Sequence, residues 1–332
     1  MKNTRLRLSR REVLIGLAVI VVLAGLYLMG EQIENSQKNP EARGDLSTRF
    51  AQADTLEVNG VQYTPKKNVT AILVMGIDQD SDTEIKGYRS GGQADFLYLV
   101  VTDKIAKTIT LLPIDRNTIT DVTMVDVFGR EAGTRETQIN LSHGYGDGKE
   151  QSCELTVRAV KNLLLDVPID DYIAVTMDGI SVLNDLCGGV TITLDEDLTG
   201  VDPAFQLGAT VLLTGAQAES YTRARMGVGQ GTNLERMHRQ SVYISALSNV
   251  LKTKLQSSSF AGQLFDGMLT YTQTSMSRGL FVNRVWAARS YALSSTEIPG
   301  TRMLDEDGFE AFYPDEDALQ DIVLTLFYDK VQ

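Results

Sequence analysis

Residues 69–80, VTAILVMGIDQD, decide the fold. The run is almost continuously apolar from Val69 to Ile77 and closes on Gly76 and Asp78, the pattern of a strand covered on both faces that delivers a carboxylate at its C-terminal end. Two similar runs follow. The first begins at Asp95 and continues as FLYLVVTD, and the second, TITLLPIDR, ends beside Arg116. The polar turn DKIAK between them predicts a hairpin. Asp78 at the end of one buried strand and Asp95 at the start of the next then share one edge of the sheet.

Downstream, Cys153, Val157, Val160 and Leu164 recur on one face and predict a helix over 150–165. A short strand over 172–176, a helix over 179–186 and a Gly188-Gly189 turn into VTITL come next. Apolar strands alternating with helices give an α/β class, a mixed central β-sheet flanked by helices. Thr214 and Gln217 have the spacing of a capping box, which starts a helix ending near Arg225. Asn233 suits the N-cap of the following helix, LERMHRQSVYISALSNVLKTKL. On that helix Arg236, Arg239, Gln240 and Tyr243 fall on one face, and Leu234, Met237, Ile244, Leu247 and Leu251 on a more apolar one. The stretch FVNRVWAARSYAL suits helix or strand, and 317–328 reads as a final helix.

Residues 13–30, VLIGLAVIVVLAGLYLMG, carry no charge and make a helix of about 27 Å, close to the hydrocarbon thickness of a bilayer. The basic flank, residues 1–12, predicts a cytoplasmic N-terminus and an extracytoplasmic remainder. A cleaved signal peptide fits less well, because the run is long and no Ala-x-Ala site follows. Residues 31–66 read as a polar stalk, with room for a short strand at the domain entry, and 67–332 as the main domain. The flank holds +4 of a formal net charge of -12, leaving -16 on the rest, which argues against a nucleic-acid binder. Cys153 and Cys187 are the only cysteines. Outside the cytoplasm they suit either a bridge or two buried thiols.

Within this acidic chain Arg223, Arg225, Arg236 and Arg239 lie within 17 residues, joined by the glycine-rich MGVGQG. Guanidinium groups donate paired hydrogen bonds to phosphate or carboxylate oxygens, so the cluster predicts a local anionic ligand. Asp78 and Asp95 with phosphate oxygens would suit magnesium, and Arg116, Arg223, Arg225 and Arg239 would clamp the remaining oxygens. Surface salt bridges of little energetic weight are the competing account.

The ordered stretches NVTAILVMGIDQD, GGQADFLYLVVTD, TITLLPIDRNT, QINLSHGYG, PIDDYIAV, LCGGVTI, LTGAQAESYTRARMG and NLERMHRQ resemble the LytR-CpsA-Psr family of bacterial cell-wall proteins. The resemblance covers about residues 68–245. It implies a membrane-anchored, extracytoplasmic transferase of a Gram-positive cell. Such an enzyme moves a glycopolymer from an undecaprenyl-pyrophosphate carrier onto peptidoglycan through a phosphodiester. It also implies a hydrophobic tunnel for the polyprenyl tail, between the sheet and the 150–165 and 234–255 helices, opening beside Arg116, Arg223 and Arg225. Asp78 and Asp95 become the magnesium-associated aspartates; Arg116, Arg223 and Arg225 become the principal phosphate ligands. Arg236, Arg239, Gln240 and Asn117 line or support the mouth. Gln93 and Ala94 stand where the family commonly has Arg-Ser, Asn117 replaces an aspartate, and so does Asn233. A pyrophosphatase, or a non-catalytic protein binding lipid or wall polymer, stays open beside the transferase.

Overall fold

The computed structural model describes residues 55–84, 87–88, 91–224, 233–304 and 308–331. The apolar run at 13–30 lies outside them, and among the described residues no helix is long and apolar enough to cross a membrane.

Leu56–Val58 (β1) and Val61–Pro65 (β2) form a hairpin, so the stretch read as the end of a stalk contains strands. Val69–Ile77 (β3), Ala94–Asp103 (β4) and Thr108–Ile114 (β5) follow as antiparallel neighbours, with the expected hairpin between the last two. Ile119–Val125 (β6) and Glu131–Gln138 (β7) make a separate hairpin. Leu141–Gly144 (α1) and Glu150–Leu163 (α2) lead to Asp171–Thr176 (β8), which lies parallel to β3. Gly179–Leu186 (α3), Val190–Thr193 (β9), Thr210–Leu213 (β10), Gly215–Arg223 (α4), Asn233–Lys254 (α5) and Ser258–Met268 (α6) come next. Thr272–Thr274 (β11), Arg278–Ala288 (α7), Ala292–Ser295 (β12), Gly300–Leu304 (β13), Glu310–Pro314 (β14), Glu316–Phe327 (α8) and Tyr328–Lys330 (β15) complete the chain. The ambiguous stretch 281–293 is therefore helix up to Ala288, then strand. β15 pairs with β2, joining the chain's end to its first hairpin.

The central sheet is mixed, six strands in the order β11-β8-β3-β4-β5-β12. Its inner strands are apolar on both sides because both faces are covered. Ile72, Val74, Val100 and Ile173 pack with side chains of α3 to α7. Ala71, Leu73, Met75 and Leu99 pack with Cys153 and Val160 of α2 and with Leu319 and Val323 of α8. The continuous apolar reading of 69–77 follows from this double burial.

Two expectations change and one open alternative is settled. The helices at 150–163 and 233–254 lie on opposite faces of the sheet, so they cannot together wall one tunnel; alternation of side chains along β3 sends neighbouring residues into different layers. The buried stripe of α5 runs through Arg239, Tyr243, Leu247 and Leu251. Arg239 and Tyr243, read as polar-face residues, are thus inside, because each finds a polar partner there. Cys153 and Cys187 are free, buried thiols in the two different layers, which places the sheet between them and rules out a bridge.

Candidate functional site

The site is built at the sheet edge where β3 ends and β4 begins. Ile77 pairs with Ala94 across a register shift that sets Asp95 off the regular ladder, and the Asp78 amide donates to the Gln93 carbonyl at 2.9 Å. Gly92 packs so closely on this turn that a Cβ there would meet Gln79 and Ile77 at 2.8 Å, which explains glycine at that position. Asp78 and Asp95 thus stand at adjoining ends of neighbouring strands, close enough for the charge of one to act on the other. Asp78 is exposed and Asp95 half-buried.

Arg116, just beyond β5, reaches to Asp95 at the start of the neighbouring β4. Its Nη1 lies 2.6 Å from Asp95 Oδ2, and Nη2 donates to Gln93 Oε1 at 3.4 Å. Burial pushes the Asp95 carboxyl above its ordinary value; Arg116 opposes the shift and the nearby Asp78 charge adds to it. Asp95 Oδ1 is buried without a hydrogen-bond partner. An acceptor oxygen in that condition, beside a second carboxylate, is the donor set that a hard divalent cation completes with phosphate oxygens and water. No group of three or more metal-ligating side chains occurs among the described residues.

Asn140 is the residue that strand and charge patterns missed. It is fully buried, its side-chain amide donates to Gln93 Oε1 at 3.0 Å, and its carbonyl accepts from the Ala94 amide at 3.0 Å. Its amide is also among the groups that hold the Asp95 carboxyl down. The only sequence signal was its place in QINLSHGYG. Gln93, noted as a lost positive charge, here accepts from both Arg116 and Asn140 and links them.

Arg223 closes α4 and sits at a different point of the same edge. Its Nη1 lies 3.2 Å from Asp80 Oδ1 and 2.6 Å from Glu219 Oε1. Asp80 follows Asp78 by two residues. Asp178 fixes the connecting loop, accepting from the Ser81 amide at 3.0 Å, from the Ser81 hydroxyl, and from Thr176 Oγ1 at 2.6 Å.

Arg239 lies inside the fold. It is 1% exposed, with Nη1 on Glu196 Oε1 at 2.9 Å and Nη2 donating to the Ala224 carbonyl at 2.6 Å. Its role is to tie α5 to the residue that ends α4, directly after Arg223. Asn117 turns away from Arg116: its amide donates to Glu310 Oε2 at 3.4 Å, and its carbonyl accepts from Phe312. Arg225 and the side chains of Arg236 and Gln240 lie outside the described residues.

One carboxylate, with an unpartnered oxygen, thus pairs with Arg116, while Arg223 is engaged by Asp80, two residues beyond Asp78, and by Glu219. That arrangement can exchange internal ion pairs for an anion and a cation. A sequence model of the LytR_cpsA_psr family matches residues 26–327. The chain belongs to the LytR_cpsA_psr family. Among its relatives, the polyisoprenyl-teichoic acid–peptidoglycan teichoic acid transferase TagU of Halalkalibacterium halodurans is 28% identical, over 76% of this chain and 74% of its own. TagU of Bacillus subtilis, bearing the same description, is 27% identical over 79% and 78%. The crystal structure of B. subtilis TagV superposes with a TM-score of 0.56 at 25% identity, covering 79% of this chain and 96% of that one. LytR_cpsA_psr membership agrees with the ordered motifs, and the superposition shows a common fold.

Proposed function

We propose that this chain moves a glycopolymer from an undecaprenyl-pyrophosphate carrier onto peptidoglycan through a phosphodiester. The observation that carries the reading is the Asp78, Asp95 and Arg116 constellation at one sheet edge, with Asp95 Oδ1 buried and unpartnered. The descriptions of the TagU relatives supply the reaction class, teichoic acid transfer to peptidoglycan.

The chemistry assigned to the residues is electrostatic. Arg116 turns from Asp95 toward a phosphate oxygen, and Arg223 turns from Asp80, so charge on the pyrophosphate is met by preorganised donors. Magnesium held by Asp78 and Asp95 would add Lewis-acid stabilisation of that charge. A sugar hydroxyl of peptidoglycan attacks the phosphorus bonded to the glycopolymer sugar, and polyprenyl phosphate leaves. Arg239 keeps the end of α4 in place, and Asn140 with Gln93 orients Arg116.

The polyprenyl tail is assigned to the layer between the sheet and α4 to α7, the sheet face opposite α2. A gap of about 10 Å³ between Ile72, Val74 and Ile173 on the sheet and Phe281 and Val285 on α7 marks that layer. A hydrocarbon chain there requires the helices to part, with apolar burial at roughly 25 cal/mol per Å² as the driving term. Residues 13–30 are assigned as a single-pass anchor, with the domain outside the membrane.

Lipid-linked glycopolymer incubated with and without a peptidoglycan oligomer tests the proposal. Formation of the phosphodiester, with a loss of about 100-fold or more in Arg116→Ala, is expected. Phosphate release alone in the presence of acceptor would make the protein a pyrophosphatase. Binding of the lipid with no turnover would make it a binding protein.

A further inference from the structure

A second concavity, about 270 Å³ in volume, opens at the C-terminal ends of the parallel strands β3 and β8, with β11 as its third side. Ligands of α/β sheets settle at strand ends of this kind. Its lining includes Gln79, Ser81, Thr176, Tyr271 and Gln273, with Lys149 as the single lysine or arginine among the described residues. Among the described residues no arginine lines it, so it is poorly matched to pyrophosphate; hydroxyls and amides dominate, so it is poorly matched to a lipid tail. The chemistry suits a neutral ligand rich in hydroxyl and amide groups, with the Tyr271 ring as an apolar wall. The volume lies just below the roughly 300–1,000 Å³ of drug-sized sites, enough for about one sugar residue.

Two properties connect this concavity with the charged edge. Its walls are fixed in advance: Gln79 Oε1 accepts from the Gly92 amide at 2.6 Å, the Gln79 carbonyl accepts from the Met177 amide at 3.0 Å, and Asp178 holds Ser81 and Thr176. Asp80 both lines it and pairs with Arg223 at 3.2 Å. The concavity therefore adjoins the residue that engages Arg223. We propose that it binds an N-acetylated sugar residue of the peptidoglycan glycan and is the acceptor subsite. The word acceptor rests on the transfer reading above, whereas the glycan binding does not.

The test uses full-length protein in detergent micelles and a peptide-free glycan oligomer of alternating N-acetylhexosamines, with affinity read by calorimetry. Tyr271→Ala and Gln273→Ala should each weaken binding of the oligomer fivefold or more, with binding of polyprenyl pyrophosphate unchanged. Should Tyr271→Ala fail to fold, Gln273→Ala decides alone, since its side chain is exposed. Absence of oligomer binding at millimolar concentration, or wild-type affinity in the folded variants, overturns the assignment. Weakened glycan binding in a protein that forms no phosphodiester would instead sink the transfer reading and leave this subsite standing. Transfer with an unchanged acceptor KM in both variants would do the reverse.

Discussion

Asp95 is held at a cost to the fold. Its carboxyl is desolvated by burial and repelled by Asp78, and one oxygen lacks any donor, so the native state favours the protonated form more than the unfolded chain does. A raised carboxylate contributes its stability fully below the ordinary value of 3.8 and loses it as pH rises through the folded pKa. Asp95→Asn should therefore melt higher relative to wild type at pH 7 than at pH 3.5 while abolishing transfer; a relative melting point that falls with rising pH would contradict this. Asp178 has the opposite sign. Burial pulls its carboxyl upward, but bonds from Ser81 and Thr176 outweigh that and set it below the ordinary value. Its stabilisation is present above 3.8 and is lost as pH falls through the depressed pKa. Thermal melts of Asp178→Asn should show a deficit at pH 7 that shrinks below pH 3.8. A deficit that does not change with pH would make the effect steric.

At the scale of elements, the two arginine-bearing helices depend on their ends. α4 starts with the capping box foreseen from Thr214 and Gln217: Thr214 Oγ1 accepts from the Gln217 amide at 3.3 Å, and Gln217 Oε1 accepts from the Thr214 amide at 3.1 Å. Thr214→Ala should lower stability by about 1 kcal/mol in chemical denaturation. The far end of α4 is tied to α5 through Arg239. Arg239→Met keeps the buried stem but leaves Glu196 and the Ala224 carbonyl unpaired, for a loss of about 2–3 kcal/mol. Lipid-pyrophosphate affinity should weaken with it, because Arg223 loses its fixed neighbour. A folded Arg239→Met protein of wild-type stability would show that the buried ion pair is dispensable. Local spacing revealed the capping box because its donors lie three residues apart. Arg239 and Glu196 are 43 residues apart, so no helical period reveals that pair.

Over the whole molecule, the two-sided sheet separates two cores and one cysteine belongs to each. Burial pushes the Cys187 thiol up to about 11, and the Cys153 thiol upward as well. Neither thiol should react with an alkylating reagent in the native protein, and both should react after unfolding. A mass two hydrogens light in oxidised native protein would refute the separation. The sequence alone determined the strands at 69–77, 94–103 and 108–114, the helices at 150–163 and 179–186, the capped start of α4, and the shared edge of Asp78 and Asp95. Each follows from local periodicity, capping chemistry or the geometry of adjacent strands. Only the tertiary structure decided which sheet face each helix covers, that Arg239 is buried, that Asn117 faces Glu310, and that Asn140 supports Asp95 and Arg116. Those facts depend on which distant groups meet in a desolvated interior, where an unpaired charge or amide is expensive and the available partner, not the residue's own polarity, determines whether it goes inside.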